Sequence, residues 1–330
     1  IFLFITFHIA EADSNPENHM LDLMSSIREV TQTFRHNIAS LRTLGGATAD
    51  PYPLHQLDVI TQKEISGYVN GVSSVEGVFY ICTRDGLQFF YTYLLPPFRS
   101  SSFFNCLSAQ NIKDVCQIAP GKILIIKGNM LEVHRREELS YNDPIFKIPQ
   151  NRRNGGNEKF FSACHMTYSD MKEVYILADP EGLEYWDTTA RRWDKDLCIS
   201  HLTEGEDDDS DDFETEFKIC TYNDVIFFTL LDHGQVGAYD DARGCMVWRN
   251  KTACQKPAGI AASPTRLYVC ESQESNASVF VFGHNGSIIC RLRAYGITIP
   301  WSVAVSDVEL AVAEKGREDT CTKVIILKLE

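Results

Sequence analysis

A chain of 330 residues that is 44% hydrophobic and carries 19 Phe, 13 Tyr and 4 Trp can build a large core, which excludes a disordered, low-complexity protein. Its net charge of −14 argues against a nucleic-acid scaffold, because phosphates reward clustered Lys and Arg. Nine of its 45 acids fall between Glu204 and Glu216, where there is no base, so much of that charge is local.

Taken in order, Ile1 to Ala12 form a short apolar run ending in Ala10-Glu11-Ala12. That pattern fits the end of a signal peptide with its cleavage site, and the alternative start is Met20. Residues 1–19 are therefore an unassigned N-terminal segment, signal-like or upstream sequence, and too short an apolar run to span a membrane. The sequons at Asn250, Asn276 and Asn285 are no more than chance supplies. A cytoplasmic location is the expectation, with secretion the alternative.

Met20, Leu23, Ile27, Val30, Phe34, Ile38, Leu41 and Leu44 recur at steps of three and four, which predicts one apolar stripe of an α-helix. Asn18 can cap it and Gly45-Gly46 stop it, giving a helix or short coiled coil over residues 20–46. Such a helix either pairs two copies into a homodimer through residues 20–44 or packs on the flank of its own domain. Residues 47–58, with Asp50-Pro-Tyr-Pro53, read as a linker.

From residue 59 to 330 the sequence repeats itself. Pro257-Ala-Gly-Ile-Ala261 is answered by Pro300-Trp-Ser-Val-Ala304, and Leu267-Tyr-Val269 by Leu310-Ala-Val312, each 43 positions on. A period of 40 to 50 residues made only of strand-like segments marks the blades of a β-propeller. Second strands align at Val78–Ile81, Ile123–Ile126, Val174–Leu177, Val225–Phe228, Leu267–Cys270 and Leu310–Ala313. Upstream of each lies a small-residue inner strand: Val69–Val72, Asp114–Cys116, Phe161–Cys164, Phe217–Cys220, Ala258–Ala261 and Ser302–Val305. Gly86, Gly128, Gly182 and Gly234 sit where tight hairpins between second and third strands need them. The prediction is an all-β, six-bladed propeller behind an N-terminal α-helix. The chain ends on a third strand, and Val59–Ile65 has the β-branched alternation to close the last blade by pairing antiparallel with Val324–Leu329.

The repeat of Pro257-Ala-Gly-Ile-Ala, Leu-Tyr-Val, Val279-Phe-Val-Phe and Gly286-Ser, with Pro300-Trp-Ser-Val-Ala-Val, resembles an NHL repeat. A coiled coil ahead of such a propeller is similar to the C-terminal part of tripartite-motif NHL proteins. The resemblance implies a propeller that recognises protein or RNA within a dimeric scaffold. It is closest in the last two blades, and the RING and B-box zinc modules of that family have no counterpart here.

No catalytic constellation, cofactor motif or metal-ligand spacing is legible. There is no CxxC, and most of the eleven cysteines sit at the ends of apolar runs as core residues; Cys245 and Cys254 are the pair nearest in sequence for a disulfide. Cys164-His165 is not a dyad, because neighbours on a strand point to opposite faces. The competing class is a secreted or lumenal propeller hydrolase of the lactonase type, with a central calcium ion held by channel residues such as Asn70, Asp114 and Asn223. RNA binding through Arg135-Arg136, Arg152-Arg153 and Arg191-Arg192 is a minor reading.

The leading reading is a protein-interaction module. Loops between second and third strands share a face with those joining one blade to the next, and the two long insertions, 151–157 and 204–216, belong to that face. One carries arginines and the other carboxylates, which suits a charged protein segment. Arg152, Arg153, Asp207 and Asp211 are the expected contacts, with Arg249 and Lys251 expected on the opposite face.

Overall fold

The computed structural model describes residues 52, 54–65, 67–92, 101–108, 111–128, 130–141, 143–149, 160, 162–167, 173–179, 182–198, 202, 216–251, 253–273, 277–293, 296–316 and 321–329. The helix expected over 20–44 lies outside them. Among the described residues no helix is long and apolar enough to cross a membrane.

The strands form six sheets ordered as propeller blades. Two strands precede the first blade, β1 (Leu54–Gln56) and β2 (Val59–Ile65). Blade one is β3 (Val69–Val75), β4 (Val78–Thr83), β5 (Gly86–Thr92) and β6 (Ser101–Ser108). Blade two is β7 (Ile112–Ala119), β8 (Lys122–Lys127), β9 (Met130–Arg135) and β10 (Phe146–Ile148). Blade three is β11 (Ser162–Thr167), β12 (Glu173–Asp179), β13 (Gly182–Asp187) and β14 (Arg192–Cys198). Blade four is β15 (Phe217–Tyr222), β16 (Val225–Leu230), β17 (Gln235–Asp240) and β18 (Cys245–Asn250). Blade five is β19 (Pro257–Ala262), β20 (Leu267–Glu271), β21 (Ser278–Phe282) and β22 (Ile288–Arg293). Blade six has β23 (Pro300–Val305), β24 (Glu309–Glu314) and β25 (Thr322–Lys328), and takes β2 as its outer strand.

That last pairing closes the ring. β2 runs antiparallel to β25, from Val59 opposite Leu327 to Ile65 opposite Thr322, as the alternation predicts. Closure removes the free edge that β25 would otherwise present. The stretch read as a linker ends differently from a plain connector, because β1 lies parallel along β22 as a fifth strand of blade five.

Each blade is sandwiched between two others, so its middle strands are apolar on both faces, as in β4, β20 and β21, where every residue is buried. The core is accordingly divided. One apolar cluster fills each gap between neighbouring blades, for instance Trp301, Val303 and Leu310 against Ala258, Tyr268 and Val279. The gap between blades six and one is filled by Ile65, Val69, Phe79, Phe90, Val324 and Ile326. The closure is therefore filled with buried apolar side chains, as the other gaps are.

Connectivity sets the faces. Each inner strand starts on one face and each outer strand returns to it, so turns between second and third strands share that face with blade-to-blade connections. Arg249 and Lys251 end and follow an outer strand, β18, and so lie on the face of the second-to-third-strand turns, not the opposite one. The sequence reading went wrong by placing them without tracing the direction of the fourth strand. Arg243, in the turn before β18, and Lys122, the first residue of β8, do lie on the opposite face.

Candidate functional site

The inner strands β3, β7, β11, β15, β19 and β23 line a central channel with a cavity of about 230 Å³. Four of them carry a bulge near their start, at Val69/Gly71, Ile112/Asp114, Pro257/Ile260 and Pro300/Ser302. A bulge rotates the following side chain toward the next blade. Of the residues that follow a bulge, Asp114 and Ser302 bond to neighbouring blades, and other inner-strand residues complete a ring of contacts from blade to blade.

Asp114 is the centre of this ring. One carboxylate oxygen accepts from Ser73 Oγ at 3.0 Å and from the Val115 N–H at 2.9 Å. The other accepts from Ser162 Oγ at 2.8 Å and from the Ala163 N–H at 3.1 Å. One buried side chain thus joins blades one, two and three. Ser162 Oγ in turn accepts from the Ile219 N–H of blade four at 3.3 Å. Ser302 Oγ accepts from the Val72 N–H at 2.9 Å, linking blade six to blade one. Asn70 donates to the Ile112 carbonyl at 2.7 Å, Thr221 to the His165 carbonyl at 2.7 Å, and Thr229 to the Ala258 carbonyl. Between blades five and six the contact is backbone on backbone. A Cβ on Gly259 would sit 2.6 Å from Ser302 Cα and 2.9 Å from the Trp301 carbonyl oxygen.

This geometry decides the three channel candidates. Asn70 and Asp114 are both engaged in inter-blade bonds, and Asn223 stands apart from them, in the turn after β15 with its φ at 49°. They do not converge. Among the described residues no group of three or more His, Cys, Asp and Glu side chains is placed to hold a metal ion.

Three thiols, Cys116, Cys164 and Cys220, occupy equivalent steps of three consecutive inner strands and line the channel. Burial pushes all three well above the usual thiol range, with Asp114 adding to it at Cys116. They are protonated at neutral pH and poor nucleophiles. Cys164 faces blade four, packed with Ile219 and Phe228, whereas His165 turns the other way toward Tyr175, 6.0 Å between ring centroids. They cannot exchange a proton. Burial depresses the His165 imidazole, partly opposed by Glu173, and burial pushes Tyr175 up to about 12. Cys245 and Cys254 are both free, at opposite ends of the β18 segment, so that disulfide does not form.

A second set of carboxylates escaped the sequence reading. Glu271, at the end of β20, accepts from the Gln255 and Lys256 N–H groups at 2.8 and 3.0 Å, holding the chain that enters blade five. Glu314, at the end of β24, accepts from the Thr298 N–H at 2.9 Å, holding the chain that enters blade six. Pro257 pairs with Glu271 and Pro300 with Glu314 in the same register. The 43-residue repeat was the signal that could have found them.

Arg152, Arg153, Asp207 and Asp211 lie outside the described residues. Among the described strands, β10 and β14 end, and β11 and β15 begin, on the face of the second-to-third-strand turns. No protein-family model matches the chain, and no curated protein matches it.

Proposed function

We propose that the chain is a protein-interaction module whose insertion-bearing face receives a charged segment of a partner protein. The observation that carries this reading is the state of Asp114: all four of its acceptor positions are filled by donors from three blades. The channel's carboxylate is spent on holding the ring, which leaves the two faces and the rim as recognition surface. Arg152 and Arg153 on one insertion, and Asp207 and Asp211 on the other, are the proposed contacts. The paired Pro257/Glu271 and Pro300/Glu314 entries to blades five and six support an NHL-like reading of the repeat. In that reading residues 20–44 join two copies, as part of a tripartite-motif-like scaffold.

Charge reversal tests the face. Arg152→Glu with Arg153→Glu should reduce quantitative affinity capture of its partners at least several-fold, while Lys122→Glu with Arg243→Glu on the other face should not. Equal behaviour of the two variants would sink the assignment. Replacing Ile27 and Phe34 by Asp should turn a dimer into a folded monomer by light scattering, and a wild type already monomeric at high concentration removes self-association.

A further inference from the structure

Two turns of the same form make the lips of a pocket between blades five and six, on the face opposite the second-to-third-strand turns. One joins β19 to β20 and the other β23 to β24, and their serines, Ser263 and Ser306, are 43 positions apart. The Ser263 N–H donates to the Arg266 carbonyl at 2.8 Å, and Ser263 Oγ accepts from the Arg266 N–H at 3.1 Å. Ser306 engages Glu309 in the same two ways, at 2.9 and 3.2 Å. Each lip is thus fixed by a backbone bond and a side-chain bond. The pocket between them has a volume of about 520 Å³, within the roughly 300–1,000 Å³ of small-molecule sites. Tyr268, Val281 and Leu292 line it from the apolar cluster between these blades, with the half-buried Leu57 and Leu329 beside them.

The equivalent lips differ in charge. Arg266 stands on one and Asp307 on the other, both exposed, and among the described residues no ion pair engages either. Arg266 acts on the pocket wall: burial raises the Tyr268 hydroxyl and the Cys290 thiol, and the guanidinium opposes both shifts. Those two groups stay neutral at pH 7, so Arg266 and Asp307 are the lining residues that keep a full charge there.

We propose that this pocket binds a small zwitterion with an apolar body, of the class of free α-amino acids with large aliphatic or aromatic side chains. The carboxylate meets Arg266, the ammonium meets Asp307, and the side chain lies on Tyr268, Val281 and Leu292. The two lip charges set the class. A phosphate or a simple acid gains Arg266 and is repelled by Asp307, an amine the reverse, and a zwitterion satisfies both. The apolar wall then favours a large side chain over a small one. This site goes beyond the interaction-module reading and uses none of its residues, so its failure leaves the Arg152/Arg153 experiment standing.

The test titrates the full chain with L-phenylalanine, phenylacetate and phenethylamine, read by calorimetry. The three share a ring and differ in the charges they carry. L-phenylalanine should bind at least about fivefold more tightly than either relative. Arg266→Gln should lower it to the affinity of phenethylamine and leave phenethylamine itself unchanged. Asp307→Asn should lower it to the affinity of phenylacetate and leave phenylacetate unchanged. Equal binding of the three molecules, or tighter binding of a singly charged one, overturns the proposal. So does binding of L-phenylalanine that neither variant weakens. No saturable binding of L-phenylalanine, L-leucine or L-tryptophan at about 10 mM overturns it as well. The comparison of the three molecules on wild type decides even where a variant does not fold.

Discussion

Between blades two and three the inner strands meet across a carboxylate, with Asp114 accepting from Ser162 Oγ and the Ala163 N–H. Between blades five and six the corresponding place is Gly259, with Ser302 Cα only 2.6 Å from where a Cβ would be. The first seam spans a gap with a charged side chain that must find four donors. The second has no gap to span, and its stability comes from backbone contact and the apolar cluster around Trp301. A polar seam fails when a partner is removed, and a close-packed seam fails when an atom is added. It is the close-packed pair of blades, five and six, whose repeat is easiest to see, because direct backbone packing restricts the residues at those steps to small ones.

Adding an atom should have the largest effect. Gly259→Ala forces blades five and six apart against backbone and should cost roughly 3–4 kcal/mol, lowering Tm by about 10 °C in calorimetry. The same change at Gly121, where a Cβ would meet nothing within 4 Å but φ is +68°, should cost about 1 kcal/mol. Comparable losses at the two glycines would mean that the close seam is not limiting.

Removing a partner comes next. Asp114→Ala strands donors on three blades and should cost about 3 kcal/mol. Asp114→Asn should recover only part of that, since its amide places a donor against a donor. If urea denaturation finds Asn as stable as Asp, the charge of the staple is irrelevant and the polar seam is a matter of shape alone.

The smallest effect sharpens the contrast through pH. Glu132 in β9 is buried, which raises its carboxyl, but bonds from Lys147 at 3.1 Å and His134 at 3.1 Å outweigh burial and hold it below the usual carboxylate range. Because the folded value lies below the unfolded one, the pair's contribution is present above the unfolded carboxylate value and is lost as pH falls through the folded one. Glu132→Gln should therefore cost about 1–2 kcal/mol at pH 7, with the difference from wild type shrinking toward zero in acid. A pH-independent difference would assign the loss to packing.

Much of the architecture was legible in the residues. Strand-length apolar segments at a 43-residue repeat imply stacked blades, because one such sheet cannot bury both faces alone. The unpaired third strand at the end of the chain, together with the alternation of Val59–Ile65, implied the closure that β2 and β25 make. Opposed directions of Cys164 and His165 followed from strand geometry by itself. What the residues did not reveal is which side chain crosses which gap. Asp114 meets Ser162 across 48 positions and Ser73 across 41, and a bulge at Ile112/Asp114 turns its side chain away from where simple alternation puts it. Nor did they show that Leu54–Gln56 would lie on blade five while Val59–Ile65, three residues on, completes blade six. Alternation along one strand is a local property, set by the backbone's own period of two. Contacts between blades depend on the register and twist of two separate sheets, and those exist only once the ring has closed.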